Sequence, residues 1–544
     1  MTASRSESPS PGLLRFRSWL AAAACATLIA ALQLGMTWGK LDVPFYDGTI
    51  HYNFDNANFT YLSRNGIGVA TPQTQLGLTH IQHSSWGVTA GTPSFYTHHP
   101  FLFKALFQLF VRAKGDAEWV SRVFALAVSF MAATGVFAAL WAACRDLVAA
   151  IIGAAVLVSI PVFAIYQVCL KYELDGMALA TWHFVAVAVF LERRGRRIRL
   201  AIAALAALSV LAHWTAAIFV CCTIAWLFVR YVRGSEREAT AGAALASGIG
   251  VGVGASLLFA VFAWLRGGAS ALVAHLTEAA ASRAGGTLLL DPAWFARQAA
   301  YVSLNFGSLL PWVAGFLLPV LVTESVRRRR RAADPADTPQ ERLLPAFFFC
   351  SSATALIWQF GFAQGSFVHI YWQLWFCVPV ACLLAGSIVA ARRHGRVVVA
   401  VAGLLGVALA VQLYSSSTAS YEAVVRDQLG NSGDVAFLKE LRHDAFSRFV
   451  YISTENSRAN EWFEGPAFEY YTDRAVIHYE DGTRLVADDK ILLLNKPEPW
   501  LIVALGMYFG GHFTHEKCGP RFCAYDFRPS DAKARAAGTD RDAR

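Results

Sequence analysis

Apolar runs of roughly 17 to 25 residues, the length a helix needs to cross a bilayer, recur along most of this chain, with short polar or arginine-rich stretches between them. They predict spans near residues 18–38, 120–142, 147–165, 175–191, 199–212, 214–230, 239–264, 308–324, 344–362, 371–391 and 397–413. The stretch LAIAALAALSVLAHWTAAIFVCCTIAWLFV is too long for one span and barely long enough for two, so His213 and Trp214 are expected to mark a tight turn between short helices. The implied fold class is an all-α polytopic membrane bundle of about 11 transmembrane helices. External amphipathic helices and a small C-terminal α/β domain complete it, with the membrane domain at 1–413 and the second domain at 414–544.

Three polar stretches interrupt the apolar pattern: residues 39–119, 265–307 and the tail. The first contains PFYDGTIHYNFDNANFTYLSRNGI, which reads as one or two helices. Further on, Phe103, Leu106, Phe107 and Phe110 form a helical stripe that predicts an interfacial helix ending at Lys114 and Gly115. In the second, Asp291-Pro292 marks a helix start. In the tail, SGDVAFLKELRHDAFSRFVYIST and EGPAFEYYTDRAVIHYE each read as helix then strand, and DDKILLLNK and RFCAYDF as further strands.

Composition changes this picture little. Over half of the 544 residues are apolar and 16% are charged, so no set of soluble globular domains is needed to account for the length. Charge adds orientation. Arg15 and Arg17 precede the first span, and clusters at Arg193–Arg199, Arg230–Arg237, Arg327–Arg331 and Arg392–Arg396 follow the fourth, sixth, eighth and tenth. All fall on one side, which predicts a cytoplasmic N-terminus and an external C-terminus. The net charge of +9 is thus topological, and no nucleic-acid partner is implied. Eight cysteines lie in or beside spans as small apolar packers. Cys518 and Cys523, in HEKCGPRFCAYDF, flank a Gly-Pro turn on the predicted oxidising side and are expected to form a disulfide; a zinc site adding His512 and His515 is the alternative.

The order of first span, acidic helix, HHPF helix ending DAEWVSRVFAL, and KYELDGMALATWHF resembles the integral-membrane C-type glycosyltransferases. The set it is most similar to is the protein mannosyltransferases and lipid A aminoarabinose transferases. In that family an Asp-Glu pair opens an external helix with an Ala-Arg-Asn-Met-like end. Here Asp55 and Arg64-Asn65 keep the spacing, while Asn56 stands where the family has Glu. His98-His99-Pro100-Phe101-Leu102 corresponds to the family's Lys/His-Pro-Pro-Leu element, and Glu118–Arg122 to a further one. The resemblance covers roughly residues 18–230 in sequence and the remainder in architecture.

It implies transfer of a sugar from a polyprenyl-phosphate donor to an extracytoplasmic lipid, glycan or protein acceptor. An aspartate at the membrane boundary suits a general base on an acceptor hydroxyl, and nearby cations suit the departing phosphate. Asp55 is the expected base, with Asp47 second; the alternative for Asp55 is a helix cap. His99, assisted by His98 and Lys104, is expected to face the donor phosphate. Lys171, with Glu173 and Asp175, either anchors a span end or borders the donor pocket. No cofactor is implied, and neither a His-Glu-x-x-His zinc pattern nor a Walker loop occurs. A transporter or channel, with the external helices as gates, is the competing class.

Overall fold

A computed structural model describes residues 11–45, 54–68, 79–81, 93–95, 97, 99–234, 236–284, 288–313, 343–392, 395–430, 432–444, 448–452, 467–468, 470–472, 475–478, 485, 489–494 and 499–530. In chain order the principal helices begin with α1 (Pro11–Thr37), α2 (Phe54–Gly68), α3 (Leu102–Lys114), α4 (Glu118–Cys144), α5 (Leu147–Ser159) and α6 (Pro161–Tyr166). They continue with α7 (Tyr172–Arg193), α8 (Arg196–Ala212), α9 (Trp214–Val232), α10 (Arg237–Arg266), α11 (Ala269–Ala284) and α12 (Pro292–Phe306). The last are α13 (Leu343–Gly361), α14 (Ala363–Val368), α15 (Cys377–Arg392), α16 (Arg396–Gly430), α17 (Ser432–Leu441) and α18 (Pro499–Phe509).

The chain divides into two compact units: residues 1–39 with 125–421, and residues 40–124 with 422–544. The first polar stretch and the tail therefore belong to one unit, a different division from a cut at residue 413.

Seven helices among the described residues are long and apolar enough to span a bilayer: Glu118–Cys144, Tyr172–Arg193, Trp214–Val232, Arg237–Arg266, Leu343–Gly361, Ile370–Arg392 and Arg396–Arg426. Ala22–Thr37 and Leu147–Ser159 are shorter apolar helices. The chain is a multi-pass membrane protein. Most of the span expected at 308–324 lies outside the described residues, as does the Arg327–Arg331 cluster.

Local chemistry sets the helix ends in the larger unit. His213 is the single residue between α8 and α9, and its ring Nδ1 accepts from Thr215 N–H at 3.3 Å, capping α9 as a turn there requires. Asp146 caps α5 through Ala149 N–H, and Asp291 caps α12 through Ala293 N–H with Pro292 in the first turn. The span expected at 147–165 is broken: Ile160 is extended because it precedes Pro161, which starts α6. Helices α8 and α10 pack closely at Gly250 and Gly254. A Cβ at Gly254 would stand 2.6 Å from the Ala207 carbonyl oxygen, the close approach that small residues four apart permit.

The smaller unit contains a five-stranded mixed sheet. Its strands are β3 (Arg448–Ile452), β4 (Ala475–His478), β5 (Asp489–Leu494), β6 (Gly511–Cys518) and β7 (Phe522–Pro529), after a short antiparallel pair, β1 (Thr79–Ile81) and β2 (Pro93–Phe95). The order is β4-β3-β5-β7-β6, with β3 parallel to β4 and β5, and β7 antiparallel to β5 and β6. One face of this sheet, through Phe449, Leu492 and Phe522, shares a core with Leu438 of α17 and with Ala57 and Tyr61 of α2. The tail thus builds its core partly from a helix some 400 residues earlier in the chain, which burial of a common apolar surface favours. At the β6–β7 turn Cys518 and Cys523 form a disulfide with Cα atoms 4.1 Å apart, which removes both thiols from the zinc alternative.

Candidate active site

In the smaller unit the segment entering the first polar stretch is held from both sides. Arg122, 1% exposed on α4, donates to the Leu41 carbonyl at 2.8 Å and to that of Val43, with its guanidinium 5.0 Å from the Phe45 ring. Phe45 N–H donates to Tyr471 Oη at 2.6 Å, and the Phe45 ring meets Tyr470 edge-on.

Asp55 is the second residue of α2, inside the helix rather than preceding it as a cap would. From Asn56 to Ser63 every residue of α2 is buried, so its polar Asn, Thr and Ser positions as well as its apolar ones are enclosed. Thr60 Oγ1 turns back to the Asn56 carbonyl at 2.6 Å. Near the far end Arg64 pairs with Asp116 at 3.1 Å, donates to the Tyr470 carbonyl at 2.7 Å and lies 5.1 Å from that residue's ring. Tyr470 Oη donates to the Asp116 carbonyl, and Tyr471 Oη to Glu118 at 3.3 Å. Burial, then the negative charges of Glu118 and Asp116, holds the Tyr470 phenol above the usual tyrosine range, so it stays a neutral donor.

Helix α3 departs from the expected stripe. Phe103 and Phe107 face inward, but so do Lys104, Gln108 and Val111, while Leu106 and Leu109 are exposed. The inward cation has a partner the one-helix pattern does not show: Lys104 Nζ sits 3.7 Å from the centre of the Phe59 ring on α2. Gly115, at φ 85°, ends the helix where the sequence places its stop. His99 is buried just before α3. Asp47 and His98 lie outside the described residues.

The larger unit holds a second constellation where α6 meets α7. Lys171, Glu173 and Asp175 are all buried there. Lys171 Nζ lies 3.8 Å from the Tyr371 ring centre and 5.3 Å from that of Tyr166. Tyr172 stacks on His213, which meets Trp358 edge-on. Gly176 permits this: a Cβ there would stand 2.7 Å from Thr215 Oγ1. A polar network lies in the same unit, where Asn305 donates to Gln373 Oε1 at 2.9 Å, Gln298 to the Ser366 carbonyl at 2.8 Å, and Trp294 Nε1 to the Ala363 carbonyl at 3.0 Å. Buried ionisable groups at a span end exceed what solvated anchoring asks for.

Asp55, His99 and Lys104 therefore share one compact unit, and Lys171 belongs to the other. The pattern of the sequence did not single out Tyr470, Tyr471 or Tyr371. The only signals were aromatic pairs beside polar residues, in EYYTDR and HIYWQ.

No protein-family model and no curated protein sequence matches the chain. Among solved structures, ArnT from Cupriavidus metallidurans bound to undecaprenyl phosphate superposes with a TM-score of 0.57 at 13% identity, over 92% of this chain and 97% of that one. The chain has the ArnT fold. The apo state of the same protein matches with a TM-score of 0.50 at 12% identity, covering 93% and 98% of the two chains. At 92% of the chain the ArnT likeness reaches into both compact units and beyond residue 230.

Proposed function

We propose that the chain is an integral-membrane glycosyltransferase that moves a sugar from a polyprenyl-phosphate donor to an extracytoplasmic lipid, glycan or protein. The observation that carries this reading is the near-full-length likeness to an ArnT structure bound to undecaprenyl phosphate. Its N-terminus is cytoplasmic and its C-terminus periplasmic, on the arginine clusters.

In the reaction the acceptor hydroxyl oxygen bonds to the anomeric carbon as the bond from that carbon to the phosphate oxygen breaks. Asp55 takes the hydroxyl proton, with Asp47 the second choice, and polyprenyl phosphate leaves with the bonding electron pair. Cations and hydrogen-bond donors answer that developing charge: His99, His98 and Lys104 are the groups assigned to it. The burial of Lys104 supports the assignment, because a cation away from water acts more strongly on a phosphate than a solvated one. The buried Asn56–Ser63 stretch supports Asp55 as base, since a rigid helix fixes the aspartate backbone relative to substrate.

Comparing lipids and surface glycans of a deletion strain with those of the parent tests the reading. The expected result is loss of one sugar decoration with accumulation of its polyprenyl-phosphate donor. Unchanged glycans together with altered uptake of a polar solute would contradict it and favour a transporter.

A further inference from the structure

A cavity of about 560 Å³ opens in the larger unit where the ends of α7 and α9 meet the starts of α10 and α13. Leu191 and Leu343 wall its apolar side, and Arg193, Arg194, Arg230, Glu192 and Glu236 its polar side. Arg230 is 6% exposed and gives one Nη to Glu236 at 3.0 Å, but its buried Nε–H has no hydrogen-bond partner. An unmet donor on a buried guanidinium is costly, so a site that retains one is suited to an acceptor from outside.

The charges around it are unevenly matched. Glu236 is spent on Arg230, and Glu192 pairs with Arg145. The side chains of Arg193 and Arg194 form no ion pair with another described residue. The backbone marks the same place. Among the described residues three non-glycine residues have left-handed φ: Arg145 (52°), Arg194 (45°) and Glu236 (43°). Arg194 and Glu236 line the cavity and Arg145 holds its Glu192 wall. Arg194 is the left-handed C-cap of α7, its N–H returning to the Phe190 carbonyl, and Glu236 is the N-cap of α10, so the helix ends set these conformations.

We propose that this cavity binds a phosphate group through Arg193, Arg194 and Arg230, either as the headgroup of an anionic phospholipid or as free phosphate. Guanidinium forks match phosphate oxygens with paired charge-assisted hydrogen bonds, and two unmatched arginines beside a third with a spare donor suit one phosphate charge. The apolar wall formed by Leu191 and Leu343 suits a lipid glycerol and the start of its chains. The site is separate from the residues assigned to sugar transfer and stands whether or not that assignment holds.

The full chain purified in dodecyl maltoside provides the test, in two arms. Native mass spectrometry counts dioleoyl-phosphatidylglycerol retained per chain during titration, and equilibrium dialysis measures radiolabelled inorganic phosphate. The variants are Arg193→Gln/Arg194→Gln, at exposed positions that leave the fold intact, Arg230→Lys, and the nearby control Arg197→Gln. The expected result is one saturable site in at least one arm, weakened at least tenfold by the double variant or by Arg230→Lys and unchanged by Arg197→Gln. Binding in the lipid arm alone identifies a headgroup, and binding in the dialysis arm identifies free phosphate as a ligand. No saturable binding in either arm, binding indifferent to both cavity variants, or equal weakening by Arg197→Gln overturns the proposal.

Discussion

Replacing Arg122 tests how the segment before α2 is fixed. Its guanidinium makes close hydrogen bonds to the Leu41 and Val43 carbonyls, while that to Pro44, at 3.5 Å, is too long to count for much. A charge-assisted hydrogen bond of this kind contributes about 1.5–3 kcal/mol, and truncation also strands two carbonyls that had a buried partner. Loss of the cation above Phe45 adds about 0.5–1 kcal/mol, and the apolar Met side chain recovers part of the packing. Arg122→Met should therefore free this segment by about 3–4 kcal/mol, or a factor of roughly 10² to 10³ in local opening. Hydrogen exchange by mass spectrometry reads this directly, because the Phe45 amide, bonded to Tyr471 Oη, reports whether the segment stays docked. Its protection should fall by that factor. Arg122→Lys should fall between, since an ammonium cannot span two carbonyls as a fork does. Protection within threefold of wild type in Arg122→Met would refute the idea that this arginine holds the segment.

Thiol labelling of unfolded, unreduced protein should modify the eight free cysteines and miss Cys518 and Cys523; labelling at either would count against the bond. A C-terminal alkaline phosphatase fusion should be active, whereas an inactive fusion beside a working cytoplasmic reporter would reverse the proposed topology. Burial raises the Asp444 pKa, but hydrogen bonds from Lys517 and Lys490 outweigh it and leave the carboxyl below its ordinary 3.8. A depressed folded-state pKa gives stability that is complete above the unfolded value and lost as pH falls through the folded one. Asp444→Asn should thus lower β5 protection at pH 7, with the gap to wild type closing below pH 3.8; a gap that is constant down to pH 2 would show that the charge on Asp444 is not the source of the stability.

Hydropathy located the seven helices long enough to cross a bilayer among the described residues, because burying apolar length in lipid is a local property of the chain. It misjudged their ends where other forces act. Helix α16 continues to Gly430 through SSSTASYEAVVRDQ, which is polar but contains nothing that breaks a helix. Before α15, residues Ile370–Phe376 form a 3-10 turn although they are as apolar as the helix that follows. Most of the tail's strands and the helix before β3 were legible from alternation and turn residues, while the helix Pro499–Phe509 was not read; the His213 turn was legible from span length and the α12 start from Asp291-Pro292. The tail's partnership with residues 40–124 was not legible, because no local signal tells Phe449 that it will share a core with Tyr61. The same limit applied to the site. Asp55, His99 and Lys104 were readable as chemistry-bearing residues near a membrane boundary. The inward turn of Lys104 onto Phe59, and the Arg64, Asp116 and Tyr470 cluster, depend on residues that meet only after folding.

The central claim, that Asp55 is the base of a polyprenyl-phosphate-dependent sugar transfer, is tested most directly by assaying purified Asp55→Asn with a radiolabelled polyprenyl-phosphate sugar and cell-envelope acceptor lipids. Asparagine is nearly isosteric and tolerated in the first turn of α2, so the protein should insert and fold while transfer falls by a factor on the order of 10² or more. Near-normal transfer by folded Asp55→Asn would contradict the claim, and loss of transfer in Asp47→Asn alone would move the base to that residue.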